Sequence, residues 1–523
     1  MGRVRQAVTH MNAPPHPQGG VKSQNSLVVA TRSGRVRGVR GTHGRVFFGV
    51  PYAAAPLGAL RFATPQPHPD WEEIRDATRP GPNAPQPPRS RLGQLDLSPF
   101  FGTGWQPGDD YLTLNLWAPV ATTTLAPVLV FVHGGAFLAG STHGPVYDGT
   151  AFARDGIVVV TLNYRLGVPG FLHLPGAPDN RGRLDVVAAL EWVQGNIAGF
   201  GGDPGNVTLS GQSAGAIIVS SIVAAPGCSH LFARAIIESG SGLAAFSSDQ
   251  AGIVTAALGR ELGVAPTVAR LSPISDEQFV DLIPRLTALD LTTKTAHHPL
   301  AGITPFSLVL DEQPADQVAR FPSMVDLLIG SNSEESSLYL APFVDLAHST
   351  MADVHDVAAR LHPEPDRLVE TYRATRPSAS AAELRVAMLG DGMFGVGTRR
   401  FADAHAASGG ESSTFLYEFT WRSDALAGQL GCCHLMELPF VFDRLDLPAL
   451  HGPQGLLGST PPPPELPAEV HAAWVRFVST GDPGWPAYSG PGPIVQEIGT
   501  TWRAHSVANA NPYSAWSRGL PAQ

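Results

Sequence analysis

The chain is poor in cysteine: Cys228, Cys432 and Cys433 are the three it has in 523 residues. An odd, sparse set does not make a disulfide framework, so the small stapled secreted folds are excluded. Lysine is scarcer still, at Lys22 and Lys294 alone, and arginine supplies the remaining basic charge. Basic residues number 35 against 45 acidic ones, a net charge of −10. That balance provides no broad electropositive footprint and argues against nucleic acid as the main partner. No run of about 18 apolar residues occurs, so no membrane span or membrane partner is expected. The opening stretch, MGRVRQAVTHMNAPPHPQGG, has basic residues but no apolar segment of about 7–15, and is not read as a secretory signal. The expected address is a reducing cytoplasm.

What is present is a large globular chain. It is 43% hydrophobic and 15% charged, enough to bury a sizeable core. Gly 56 and Pro 48 point to many loops. Residues 1–25 are polar and rich in Pro and Gly, and are expected to be disordered. Residues 26–523 are read as a single large domain. LVVATRSGRVRGVR alternates like a strand pair with a Ser-Gly turn. VLVFVHGG (Val128 to Gly135), GIVVVTLNY (Gly156 to Tyr164), VTLSG (Val207 to Gly211), ARAIIESG and VDLLIGSN are apolar runs of strand length, as in a parallel sheet covered on both faces. RLDVVAALEWVQGNI has helical spacing, with Leu184, Val187, Ala188, Trp192 and Ile197 on or near one face. SAGAIIVSSIVAA reads as a further helix. Strands alternating with helices give an α/β fold with a mainly parallel sheet flanked by helices, whose ligands bind beyond the carboxyl ends of the strands.

The chemistry-bearing residues fall at such ends. Gly211-x-Ser213-x-Gly215 follows one strand and opens a helix, the setting of a nucleophile elbow. A serine hydroxyl is a weak nucleophile and needs a neighbouring base. The helix after Ser213 offers free N–H groups, which makes the backbone N–H of Ala214 a candidate oxyanion donor. FVHGGAF ends a second strand in His133-Gly134-Gly135, where glycines let backbone N–H groups face a ligand. A base is expected late in the chain, with an acid between it and the serine. His434, in GCCHLMELPFVF, is one candidate base among 18 histidines. Glu334 and Glu335, in LLIGSNSEESSLYL, are candidate acids. Spacing alone does not separate these residues from a core histidine and a solvated carboxylate pair.

These blocks, with FFGVPYAAAPLGALRFATPQP, DDYLTLNLWAP, LNYRLGVPGFL and FVSTGDPGWPAY, resemble the type B carboxylesterases of the α/β-hydrolase fold, from about residue 27 to at least Tyr488. That group includes bacterial p-nitrobenzyl esterase-like enzymes and, more distantly, cholinesterases. The resemblance implies Ser213 as nucleophile, Glu335 as acid and His434 as base. It implies Gly134, Gly135 and Ala214 as oxyanion donors, and long insertions that form an active-site gorge. It makes Ser239 a partner of the triad carboxylate, and Glu437 with Gln212 members of the same network. It also implies two ion pairs, Arg61 with Asp109 and Arg165 with Asp185.

The chain departs from that family in three places. A disulfide frequent early in the family is replaced here by Ala84 and Tyr111. Asp109 is shorter than the usual Glu. Gln212 stands where the elbow normally carries Glu, which removes a negative charge beside the base. Phe137, Leu338, Tyr339 and Phe394 lie near the motifs and are candidate apolar pocket walls. Cys432 and Cys433 are read as reduced, packed thiols. The expectation is a serine carboxylesterase acting on small, uncharged acyl or aryl esters, with carbamates as variants, without metal or organic cofactor, as a monomer or small homo-oligomer. A lipase with interfacial activation, or a non-catalytic binding protein on the same fold, is the alternative.

Overall fold

The computed structural model describes residues 27–120, 123–294, 296–489, 493–506, 513 and 515–516. The segment 1–25, expected to be disordered, lies outside them. Among the described residues one sheet of 11 strands dominates. In chain order these are β1 (Val39–Gly41), β2 (Gly44–Pro51), β3 (Thr113–Pro119), β4 (Ala126–Val132), β5 (Val158–Leu162), β6 (Gly202–Gln212), β7 (Arg234–Glu238), β8 (Asp326–Asn332), β9 (Thr414–Phe419), β10 (Ile494–Ile498) and β11 (Arg503–Ser506). Across the sheet the order is β11, β10, β9, β8, β7, β6, β4, β5, β3, β2, β1. Every pairing from β10 to β5 is parallel, and antiparallel strands close both edges. The expected pair before the sheet also forms, Val28–Ala30 lying antiparallel to Arg35–Arg37.

The apolar runs make buried parallel strands because both faces are covered. In β4, Val128, Val130 and Val132 enter one core while Leu129 and Phe131 enter the other. β7 and β8 split alike, with Ile236 and Leu328 on the second side. The flanking helices used below are α1 (Arg181–Asn196), α2 (Ala214–Val223), α3 (Met351–Leu361), α4 (Pro365–Thr375), α5 (Ala381–Gly390), α6 (Val396–Ala407) and α7 (Leu466–Thr480). Helices α3, α4 and α5 carry a separate apolar cluster, with Val354, Leu368, Tyr372 and Met388 at its centre. Capping boxes, Thr350 with Asp353 and Ser380 with Glu383, start α3 and α5. Between α5 and α6 the chain widens into a π turn over Asp391–Gly395. Among the described residues no helix is long and apolar enough to cross a membrane.

The buried face of helix α1 matches the expected one only in part: Trp192, and Ile197 just past the helix end, are buried as expected. Leu184, Val187 and Ala188 are half-buried, whereas Asp185, Val186, Ala189, Leu190 and Val193 are buried. Asp185 lies on the buried face. It turns inward to take Arg165 Nη2 at 2.7 Å and Nε at 2.8 Å, with both side chains fully enclosed. The other expected ion pair does not form. Arg61 pairs with Asp276, donates to the carbonyl of Ser272 at 3.0 Å and stacks on Phe279 at 4.9 Å. Asp109 is exposed. Ala84 and Tyr111 are buried within the main core. All three cysteines are free thiols. Cys432 Sγ donates to the Phe419 carbonyl at 2.9 Å, and Cys433 Sγ to the His434 carbonyl at 3.3 Å.

Candidate active site

Ser213 occupies the turn from β6 into α2 with φ 56° and ψ −123°, a strained conformation for a residue with a Cβ. Its neighbours hold it there. The Ser213 N–H donates to the Glu238 carbonyl at 2.9 Å. A Cβ on Gly215 would lie 2.1 Å from the Val132 carbonyl oxygen, and one on Gly211 2.7 Å from Gly215, so both positions require glycine. The hydroxyl of Ser213 makes no hydrogen bond among the described residues. The first N–H groups of α2, starting with Ala214, lie beside it.

The loop after β4 shows a division of labour along its backbone. Each carbonyl from residue 133 to 137 has a partner. Tyr164 Oη donates to His133 O at 2.9 Å, and His133 Nδ1 to Gly134 O at 2.8 Å. The N–H groups of Leu138 and Ala139 donate to Gly135 O, both at 3.0 Å. Thr304 Oγ1 donates to Ala136 O at 2.7 Å, and the Gly167 N–H to Phe137 O at 2.8 Å. The N–H groups of Gly134 and Gly135 have no acceptor among the described residues. Burial pushes His133 down to about 4, so its ring is neutral with the proton on Nδ1, which faces a carbonyl. A Cβ on Gly134 would touch Ser213 Cβ at 2.9 Å, so the loop lies directly against the elbow.

His434 and Glu335 meet as the resemblance implied. His434 Nδ1 is 2.5 Å from Glu335 Oε2, and both side chains are buried. The other carboxylate oxygen accepts the Asn332 N–H at 2.8 Å. The imidazole lies against the Phe394 ring, nearly parallel at 4.6 Å between centroids, with Tyr339 at 5.7 Å. Phe394 belongs to the π turn, a distortion that recurs where a helix carries a site residue. Of the other two candidate wall residues, Leu338 is buried. Phe137 shows no exposed surface and packs edge-on to Phe171, within the core beneath the loop. Glu334, the alternative acid, faces away. It accepts the Cys432 N–H at 2.9 Å and pairs with Arg422 at 2.5 Å, clamping the histidine loop.

One expectation is corrected, that of Ser239. No direct hydrogen bond joins Ser213 to His434. Gln212 Nε2 instead stands 3.3 Å from His434 Nε2. Ser239 does not touch the Glu335 carboxylate in a hydrogen bond; its Oγ accepts from Asn332 Nδ2 at 3.4 Å. Asn332, which the sequence reading missed, is the hub. Its amide also donates to Glu437 Oε2 at 2.6 Å. Its position inside the GSNSEE stretch was the available signal. Glu437 is fully buried and its Oε1 has no partner among the described residues. Burial first, then the nearby Glu335 charge, pushes it up to about 7 against the Asn332 bond. Burial likewise lifts Glu238, held by Trp474 Nε1 at 3.0 Å from α7. Among the described residues no group of three or more His, Cys, Asp or Glu side chains is placed to hold a metal.

The carboxylesterase family model matches residues 25–516. The chain is 33% identical to the para-nitrobenzyl esterase of Bacillus subtilis (strain 168) over 477 residues, 88% of this chain and 92% of that one. It is 34% identical over 476 residues to the phenmedipham hydrolase of Pseudarthrobacter oxydans, covering 87% and 91%. The solved carboxylesterase EST55 of Geobacillus stearothermophilus superposes with a TM-score of 0.79 at 33% identity, over 94% of this chain and 100% of that one. With a sheet of this topology and matches spanning nearly the whole chain, the protein belongs to the carboxylesterase family and is a serine-type carboxylic ester hydrolase with the α/β-hydrolase fold.

Proposed function

We propose that Ser213, His434 and Glu335 carry out ester hydrolysis through an acyl-enzyme. Ser213 Oγ attacks the ester carbonyl while His434 Nε2 takes its proton, and Glu335 holds the imidazole with its proton on Nδ1. The developing oxyanion is received by the N–H groups of Gly134, Gly135 and Ala214. The imidazolium then protonates the departing alkoxide. Water, deprotonated by His434, releases the acyl group from Ser213. The observation that carries this reading is the buried 2.5 Å His434–Glu335 contact, together with the Gly134 and Gly135 N–H groups that have no acceptor among the described residues.

The substrate class that fits is a small, uncharged carboxylic ester with an apolar acyl or aryl group, because the rings that lie against the imidazole are those of Phe394 and Tyr339. Similarity to the phenmedipham hydrolase adds carbamates as variants. The reading invokes no cofactor, and no nucleic-acid or membrane partner. It places the enzyme in the cytoplasm as one hydrolase domain, monomeric or in a small homo-oligomer. The test is a panel of p-nitrophenyl esters of short and long acyl chains, below and above the micelle limit, with Ser213→Ala as control. Short-chain turnover that falls by about 10⁴–10⁶ in the variant is expected. A burst of activity confined to micellar long-chain esters would make the protein a lipase. Silence on every ester, with no labelling by a fluorophosphonate, would make it a binding protein.

A further inference from the structure

The loop after β4 is not self-supporting. Ala136 and Phe137 follow the two glycines with φ 58° and 62°. Two consecutive residues with side chains in the left-handed region are each disfavoured by sterics, so the surroundings must hold them. The peptide planes before them are tied locally. The plane carrying the Gly134 N–H is fixed through the His133 carbonyl by Tyr164, and that carrying the Gly135 N–H through the Gly134 carbonyl by His133 itself. The carbonyl of Ala136, at the strained corner, is held by a residue 168 positions away in sequence, Thr304.

Thr304 is well equipped for this. It is buried. Its hydroxyl donates to Ala136 O at 2.7 Å, the shorter of two carbonyls in reach (Phe306 O is at 3.3 Å), and accepts the Phe306 N–H at 3.1 Å. Its own carbonyl accepts from His298 Nε2 at 3.1 Å, while His298 Nδ1 accepts the Leu300 N–H at 3.2 Å. Burial keeps that imidazole neutral, pushed down to about 4, which preserves both bonds. The segment around it is fastened to the chain after β7 by Ser307 Oγ to Ala244 O at 2.7 Å. A rigid excursion from the region before β8 therefore reaches over to one carbonyl of the oxyanion loop.

We propose that Thr304 is a positioning residue of this enzyme: by holding the Ala136 carbonyl it keeps the Gly134 and Gly135 N–H groups aimed at the developing oxyanion. The inference rests on the ester-hydrolysis reading above. Release of that carbonyl lets the left-handed pair relax and loosens the two amide donors, whose planes then depend on Tyr164 and His133 alone. Misalignment costs less than outright deletion of a donor, which lowers rates by about 10²–10³.

The experiment compares Thr304→Val, which keeps the shape and removes the hydroxyl, with Thr304→Ser, which keeps the hydroxyl. Rates are taken per active site by fluorophosphonate titration, beside thermal midpoints. Thr304→Val is expected to lower kcat about 10-fold with KM nearly unchanged, and Thr304→Ser to restore most of it. The affinity of an aryl trifluoromethyl ketone, which adds Ser213 to give an oxyanion, should weaken by the same factor. The matching alcohol, which cannot add, should bind unchanged. Wild-type kcat and ketone affinity in Thr304→Val would overturn the role of Thr304 while Ser213 dependence keeps the hydrolase reading intact. Equal losses in Val and Ser variants, or a weakened alcohol as well as ketone, would overturn it too. A Ser213→Ala variant as active as wild type would overturn both.

Discussion

The side-chain amide of Gln212 faces His434 Nε2 at 3.3 Å, on the ring nitrogen opposite the one that bonds Glu335. The imidazole thus has a carboxylate on one side and a neutral amide on the other. Gln212 Oε1 is buried without a partner among the described residues. Relatives with glutamate at this position place a second negative charge there, and this chain does without it.

Replacing that amide by a carboxylate tests its effect. In Gln212→Glu the new charge stabilises the imidazolium, so the base is lost at a higher pH. The acidic limb of the kcat/KM profile is expected to move upward by about one pH unit. A profile that superposes on the wild type would refute this electrostatic reading.

Glu335→Gln should keep the fold and remove the base. The amide offers an N–H to Nδ1, forcing the ring proton to Nε2, where it cannot accept from Ser213. The acylation rate with p-nitrophenyl acetate should fall by about 10³–10⁴. Stopped-flow measurement of the p-nitrophenol burst reads this directly, and a drop under tenfold would count against the assignment.

Glu437 links charge to stability. Its carboxyl is raised from an ordinary 4.5 to about 7. Between those values the folded chain holds a proton that the unfolded chain has released, so its contribution to stability declines as pH rises through that window and stays low above it. The displacement corresponds to roughly 3 kcal/mol. Glu437→Gln removes this dependence. Urea unfolding at pH 8 should show the variant gaining on the wild type relative to pH 4.5, and a constant difference across that range would disprove the linkage.

Asp185→Asn leaves the enclosed Arg165 guanidinium without its countercharge. The expected loss is about 3–5 kcal/mol in urea unfolding. The double substitution Arg165→Met with Asp185→Leu should recover much of it, because no charge then remains to be desolvated. A single variant within about 1 kcal/mol of wild type would show that the carbonyls of Arg61 and Ala63, which Arg165 also contacts at 3.2 and 2.7 Å, suffice for it.

Local chemistry was readable in the sequence where covalent neighbours enforce it. The elbow needs Gly211 and Gly215 within two residues of Ser213, and apolar runs with both faces covered identify β4, β5 and β8 unaided. The pairing of His434 with Glu335 came from family resemblance, since nothing in spacing distinguishes it. What failed were partnerships set by tertiary packing. Arg61 pairs with Asp276, from a segment that no local signal connects to it. Ser239 is intercepted by Asn332 before it reaches the carboxylate. The α1 face was legible only in part: Trp192 is buried as expected, but a hydrophobicity pattern assigns Asp185 to solvent, whereas it pairs with the buried Arg165. Thr304 was invisible for the same reason: a threonine in a loop has no pattern until the fold brings a carbonyl to it.

The working parts come from positions as far apart as 134 and 434, and Glu335 and His434 alone are separated by 99 residues. No shorter stretch of the polypeptide holds a complete set. A chain growing on the ribosome stays chemically silent until its last third has emerged and docked. Since closing such distant contacts is slow, the return of ester turnover after dilution from denaturant marks the end of folding, later than the recovery of helix signal or tryptophan burial.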